Sequence, residues 1–171
     1  MFDDLLDDTT RAIKNWTPEK KYQKEDGYRD DLLGYLREQL NRPSPFGSQK
    51  VTIQSESGRW LCDIVLNRTI GIELKKDLKE KAKIDRAIGQ IHRYWDCYHD
   101  IIIVLVGDTD PNKYDDLREQ VSDFVRRNSN PYSWDEKSVR VIDTSNKTNK
   151  KTRNSSQKCP HTDNSDQFSL W

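Results

Sequence analysis

Apolar residues recur every three or four positions in three segments of the chain, which is the spacing of amphipathic helices. The first segment covers residues 25–40 and is closed by Arg42-Pro43, because proline cannot continue a helix. The other two cover residues 84–98 and 114–127. The pattern therefore predicts three helices separated by segments of different periodicity.

Five other segments have the composition of β-strands. Residues 50–55 alternate apolar and polar side chains, and a Ser57-Gly58 turn signal follows them. Residues 60–66 and 101–106 are apolar on both faces, as interior strands are. Residues 69–75 form another β-rich run, and 139–142 form a short last strand. The resulting order α-β-β-β-α-β-α-β predicts an α/β protein with three layers. Its central sheet should be mixed, because strands joined through a helix tend to pair in parallel.

Composition separates the end of the chain from the rest. Apolar residues make up 33% of the sequence and the mean hydropathy is -1.03, whereas globular domains usually reach ~45–50% apolar residues. Of the last 29 residues, 143–171, fifteen are Ser, Thr, Asn or Gln. Such a segment buries too little surface to offset its chain entropy. We therefore expect a folded domain over residues 1–142 and a disordered polar tail over 143–171.

Several protein classes are excluded by simple counts. No run approaches the ~18 consecutive apolar residues of a membrane span. The acidic start of the chain lacks the basic and apolar regions of a signal peptide. Cys62, Cys97 and Cys159 are too few and too far apart for a disulfide framework or a four-thiolate cluster. These features favour a cytoplasmic protein with no membrane partner.

Asp63 is the residue that most needs a chemical explanation. It interrupts an otherwise apolar strand, where a carboxylate is costly unless a cation or several donors accompany it. The two-residue link Asn67-Arg68 predicts a hairpin that brings the next strand alongside, with Glu73 and Lys75 on one face. Two carboxylates converging in a dry sheet suit Mg²⁺ or Mn²⁺, and a lysine can stabilise developing charge. The alternative is a plain ion pair between Glu73 and Lys75, with Asp63 capped locally.

A second group of polar residues follows on the next predicted helix. Gln90 and Tyr94 are four residues apart and share a helix face, with Arg86 and Arg93 nearby. Although the whole chain has a net charge of zero, residues 68–93 contain eight basic and four acidic residues, a net of +4. A local positive charge beside paired carboxylates favours a phosphate-bearing substrate.

Taken in order, these motifs resemble those of the PD-(D/E)XK nuclease superfamily. They are an acidic residue on an early helix, then Asp63, then Gly71-Ile72-Glu73-Leu74-Lys75, then Gln90-x-x-x-Tyr94. The Gln-x-x-x-Tyr element is similar to that of the RecB-type and lambda-exonuclease-like branches. The resemblance covers roughly residues 25–106 and implies a restriction-endonuclease-like fold.

The resemblance also implies a role for each matching residue. Asp63, Glu73 and the backbone carbonyl of Leu74 would hold the metal, Mg²⁺ or Mn²⁺, and Lys75 would assist phosphodiester hydrolysis. Glu25 would be the acid of the early helix, although Asp30 and Asp31 compete with it for that role. Cys62 stands where the family often has proline. The implied substrate contacts are Gln90, Tyr94, Lys76, Arg86 and Arg93.

The implied activity is metal-dependent hydrolysis of DNA, in repair, recombination or restriction. Two alternatives share the same residues: a non-catalytic DNA-binding or assembly module that keeps the fold, and a nuclease directed at RNA. The sequence Gln167-Phe168-Ser169-Leu170-Trp171 places apolar residues at the end of the tail and suggests a docking peptide for a protein partner. Many members of the superfamily work as dimers, which makes a homodimer a further expectation.

Overall fold

The computed structural model of the protein describes residues 2–42, 50–55, 62–129 and 136–147, with side chains from residue 5 onward. Four helices and five strands form within these ranges. In chain order they are α1 (Phe2–Asn15), α2 (Glu25–Leu40), β1 (Ile53–Ser55), β2 (Ile64–Leu66), β3 (Ile70–Lys76), α3 (Lys81–Tyr94), β4 (Asp100–Val106), α4 (Pro111–Asn128) and β5 (Ser138–Asp143).

The five strands form one mixed sheet in the order β1-β2-β3-β4-β5. The pairs β1–β2 and β2–β3 are antiparallel, whereas the pairs β3–β4 and β4–β5 are parallel. Each parallel step passes through a helix, α3 and then α4, as parallel connections require. The prediction of a three-layer α/β fold with a central mixed sheet is therefore confirmed.

Each face of the sheet has its own apolar core. Alternation along β3 places Ile70, Ile72 and Leu74 in the core shared with α1 and α2. The intervening residues, among them Glu73 and Lys75, belong to the other face, which α3 and α4 cover with a second core. The centre of β3 thus supplies apolar side chains to one core and charged side chains to the other.

A tight turn at Asn67 and Arg68 joins β2 to β3. Both residues have positive φ, 47° and 60°, and Thr69 N donates to Leu66 O at 2.9 Å. Consecutive left-handed residues are the signature of a type I′ hairpin turn, whose twist matches that of the flanking strands. The ladder then pairs Ile64 with Ile72, and extending this register by one residue places Asp63 opposite Glu73.

The structure differs from the sequence predictions at several element boundaries. The helix α1 was not predicted, whereas α2 has the predicted limits. The helix α3 begins three residues before the predicted start and ends at Tyr94, where a turn follows in which Tyr98 N donates to Tyr94 O. The strand β2 begins at Ile64, and residues 60 and 61 lie outside the described part.

The C-terminal tail is described only as far as Lys147. Packing continues past the predicted domain limit at Ile142, because Thr144 and Ser145 are buried and Thr144 donates to Leu105 O through both its backbone and its hydroxyl. The suggested docking peptide, Cys159 and most of the predicted tail lie outside the described residues. Of the described helices, none combines the length and apolarity needed to cross a bilayer.

Candidate functional site

A buried ion pair lies at the end of β3 on the face covered by α3. Lys75 Nζ is 2.7 Å from Glu73 Oε1, and the two residues are only 7% and 3% exposed. The ammonium also donates to the carbonyl oxygen of Leu74 at 2.8 Å. The predicted sharing of one face by Glu73 and Lys75 is therefore confirmed. Burial makes each of these charges dependent on the other, because an isolated ion at such a position is costly.

Two residues of α3 also donate hydrogen bonds to the Glu73 carboxylate. Gln90 Nε2 donates to Glu73 Oε1, and the Tyr94 hydroxyl donates to Glu73 Oε2 at 3.1 Å. Burial, together with the negative charge of Glu73, raises the pKa of the Tyr94 hydroxyl above its ordinary value. Tyr94 therefore stays protonated as a donor. The four-residue spacing that placed Gln90 and Tyr94 on one face is the spacing that lets both reach one carboxylate.

Asp63 reaches the same part of the sheet from the start of β2. Its Oδ2 accepts a hydrogen bond of 2.8 Å from the backbone N–H of Leu74. The side chain thus accepts from a backbone N–H of β3 next to the start of β2 at Ile64, so this donor is satisfied beyond the end of the ladder. Burial, with the nearby negative charge of Glu73, raises the pKa of Asp63 from 3.8 to about 6.

Glu25, at the first position of α2, completes the group. Its Oε2 accepts from the backbone N–H of Lys76 at 2.9 Å, and its Oε1 is 3.6 Å from Lys75 Nζ. The sequence left Asp30 and Asp31 as competing candidates for this role. Asp30 is exposed and pairs with its neighbour Arg29.

The carboxylate of Asp31 has a different function within the fold. It accepts from Trp16 Nε1 at 3.0 Å, from the backbone N–H of Glu19 at 2.8 Å and from the Tyr22 hydroxyl at 2.9 Å. Burial and the hydrogen bond to Asp31 raise the pKa of Tyr22 to about 12. Asp31 therefore ties the chain between α1 and α2 together, and Glu25 is the acid of α2 that reaches β3.

The predicted basic contacts take different positions around this group. Arg86 and Arg93 are exposed on α3, four residues before and three after Gln90. Their spacing from Gln90 places them on its side of the helix, toward solvent. Lys76, in contrast, is paired with its neighbour Asp77.

Lys83 has a position that sequence reasoning did not single out. Its Nζ donates to the carbonyl oxygens of Lys76, at 3.0 Å, and of Asp77, at 2.9 Å. Because Lys83 lies in the first turn of α3, it fixes that turn to the end of β3. The sequence feature that could have identified Lys83 is its spacing of seven residues from Gln90, which places both residues on one face of the helix.

The donor set suits a hard divalent cation. Carboxylate oxygens of Glu73, Asp63 and Glu25 and the carbonyl oxygen of Leu74 are the ligand types that Mg²⁺ and Mn²⁺ prefer. Gln90 Oε1 is buried beside Glu73 and receives no hydrogen bond from the described residues, so an acceptor is left for water or ligand. Across the described residues, no three His, Cys, Asp or Glu side chains form a ready-made metal cluster.

Comparisons with known proteins identified no relative of this chain. A scan against protein-family models, a search of curated proteins and a search of solved structures each found no significant match to the chain. Any assignment of function must therefore be argued from the residues that converge at the end of β3.

Proposed function

We propose that the protein is a metal-dependent nuclease of the PD-(D/E)XK type, which hydrolyses phosphodiester bonds in DNA. The observation that carries the proposal is the convergence of Glu25, Asp63, Glu73 and Lys75 at one end of the sheet. They come from a helix, from the start of one strand and from the end of another. A structural ion pair alone would not need two further carboxylates beside it.

Each member of the group can be given a part in hydrolysis. Glu73, Asp63 and the Leu74 carbonyl would hold Mg²⁺ or Mn²⁺, with Glu25 beside them. When bound, the ion would supply Lewis-acid activation of the phosphate and of the attacking water. Gln90 and Tyr94 fix the Glu73 carboxylate by direct donation, and this preorganises the site. The Lys75 ammonium carries the positive charge that would stabilise the pentacovalent phosphate.

The local charge favours a polyanionic substrate. Residues 68–93, which include β3 and α3, carry a net charge of +4, and Arg86 and Arg93 are exposed on α3. Exposed guanidinium groups contact phosphate oxygens without reading the base sequence. Binding should therefore weaken steeply with salt.

The direct test is incubation of the purified full-length protein with labelled linear, circular and branched DNA and with labelled RNA. Each reaction is run with Mg²⁺, with Mn²⁺ and with EDTA. We expect DNA cleavage that requires the metal and is lost in Glu73→Ala and in Lys75→Ala. The change Glu119→Ala, at an exposed position in the middle of α4, should leave cleavage intact and serves as the matched control.

Three outcomes would contradict the proposal. DNA binding without cleavage under any metal would identify a non-catalytic binding module. Cleavage of RNA alone would move the activity to the other nucleic acid. Cleavage that persists in Glu73→Ala would place the chemistry elsewhere in the protein.

A further inference from the structure

The Lys75 ammonium lies among the oxygen atoms that a metal ion would use. Its Nζ is 2.7 Å from Glu73 Oε1, 2.8 Å from the Leu74 carbonyl oxygen and 3.6 Å from Glu25 Oε1. Two of these oxygens, on Glu73 and Leu74, belong to the proposed ligand set. The ammonium thus supplies positive charge to a site built from hard oxygen donors.

From this arrangement we propose that Lys75 is the internal counter-cation of the metal-free site and that a divalent cation binds by exchange with it. The inference rests on the proposed function, since it concerns the same metal site. It adds an order of events: the ammonium leaves Glu73 Oε1 and the Leu74 carbonyl as the divalent ion arrives. The lysine is then free to act on substrate only once the metal is bound.

The exchange follows from charge and from distance. Mg²⁺ binds its oxygen ligands at about 2.0–2.1 Å. It cannot share Glu73 Oε1 and the Leu74 oxygen with an ammonium less than 3 Å from both, because two cations repel each other strongly where Glu73 and Lys75 are buried. The carboxylate of Glu73 is also held by Gln90 and Tyr94. The lysine side chain is therefore the mobile partner.

The structure contains a second acceptor for the displaced ammonium. Glu25 Oε1 already lies 3.6 Å from Lys75 Nζ, and its side chain is 39% exposed, so a small shift keeps the lysine paired and partly hydrated. The other oxygen of Glu25 is anchored by the backbone N–H of Lys76. This anchor holds the acceptor in place while Lys75 moves.

The test is calorimetric titration of Mn²⁺ into the wild-type protein and into Lys75→Met. Methionine removes the charge while it keeps a long unbranched side chain. We expect Lys75→Met to bind Mn²⁺ roughly tenfold or more tightly than wild type, because no resident cation has to leave. The melting temperature of Lys75→Met should be lower without metal, and Mn²⁺ should raise it by more than it raises that of wild type.

The neighbouring lysine provides the matched control. Lys76→Met removes an equal charge one residue along β3, but its ammonium pairs with Asp77 and not with Glu73. It should leave the affinity for Mn²⁺ close to that of wild type. An equal gain in both variants would identify a general charge effect and overturn the exchange.

A second measurement uses the wild-type protein alone and does not depend on the variant folding. In a sample with isotope-labelled lysine, the Lys75 ammonium protons should be protected from solvent exchange without metal and should lose that protection as Mg²⁺ is added. The Lys75→Arg variant assigns the signal.

The outcomes separate the exchange from the proposed function. Equal Mn²⁺ affinity in wild type and Lys75→Met, or Mg²⁺ binding with an unchanged Lys75 signal, overturns the exchange and leaves a metal-dependent nuclease in place. Absence of Mn²⁺ and Mg²⁺ binding in every variant removes both the exchange and the proposed metal site.

Discussion

The backbone N–H of Lys76 donates a hydrogen bond of 2.9 Å to Glu25 Oε2, joining the first turn of α2 to the end of β3 across 51 residues of sequence. The helix α2 belongs to one layer of the fold, whereas the Glu73–Lys75 pair lies on the opposite face of the sheet. The contact is possible because Lys75 and Lys76 lie at the C-terminal end of β3. At the end of a strand, side chains from both layers can approach the backbone.

Two acidic residues of α2, Glu25 and Asp31, should respond differently to substitution. Glu25→Ala should reduce DNA cleavage at least tenfold with little change in stability, because Glu25 is partly exposed and acts at the site. Asp31→Ala should instead lower the free energy of unfolding by about 2 kcal/mol, since it leaves the donors of Trp16 and Tyr22 without their acceptor. Cleavage assays and urea unfolding measure the two effects. The reverse pattern would assign the catalytic role to Asp31.

The buried pair of Glu73 and Lys75 should behave as a unit. Lys75→Met alone should lower stability in the absence of metal by about 3 kcal/mol, because it leaves the Glu73 carboxylate buried without its cation. Adding Glu73→Gln should recover much of that loss. A double-mutant cycle in urea measures the coupling between the two residues.

An exposed pair supplies the comparison for that cycle. Lys79 and Asp108 form an ion pair whose side chains are 55% and 65% exposed. Lys79→Met should change stability far less than Lys75→Met does, as is usual for solvated ion pairs. A loss as large as that of Lys75→Met would show that burial is not the cause of the difference.

Asp63 should give the metal-free protein a stability that depends on pH. Its pKa is about 6 in the folded protein and 3.8 in the unfolded chain, because burial and Glu73 disfavour the ionised form. Between these values the folded state binds more protons than the unfolded state. The free energy of unfolding therefore falls as pH rises through this window, by roughly 2 kcal/mol.

Urea unfolding in EDTA from pH 4 to pH 7 tests the contribution of Asp63. The slope attributed to Asp63 should disappear in Asp63→Asn and persist in Asp30→Asn, whose carboxyl group is exposed. An unchanged slope in Asp63→Asn would assign the pH dependence to other groups.

Gly71 should be required because of a close approach within the hairpin. A Cβ added at Gly71 would lie 2.6 Å from Cys62 Sγ and 2.8 Å from the ring of Tyr98. Gly71→Ala should lower the free energy of unfolding by about 1–3 kcal/mol, the usual cost of overpacking. At Gly34, in the middle of α2, a Cβ meets nothing within 4 Å, so Gly34→Ala should stabilise the protein by up to about 1 kcal/mol. Thermal unfolding of both variants checks the contrast.

The sequence pattern predicted helix limits correctly where the spacing of apolar residues matched the positions that are buried. The helix α2 has its predicted limits because Tyr28, Leu32, Leu33 and Leu36 form an unbroken buried stripe. The helix α1 was missed because its buried face is partly polar: Thr9 and Thr10 lie between Leu6 and Ile13. A buried threonine satisfies the geometry of a core position without giving the apolar signal on which sequence reasoning depends.

The sequence pattern could identify the residues that form the site, but not the contacts between them. A charge inside an apolar run identified Asp63, and alternation placed Glu73 and Lys75 on one face. No local pattern could have shown that Glu25 reaches the backbone of Lys76 or that Lys83 holds the start of α3, because these contacts arise from the packing of distant segments. The placement of the Lys75 ammonium between Glu73 and Leu74 likewise depends on the completed sheet.

The turn at Asn67 and Arg68 has a consequence for how this chain can vary. Only three residues separate Leu66 from Ile70, so an insertion that shifted the register by one would carry Asp63 to the opposite face, away from Glu73. Lengthening the loop would separate the carboxylates without altering either of them. The length of this turn therefore determines whether Asp63 and Glu73 lie opposite each other.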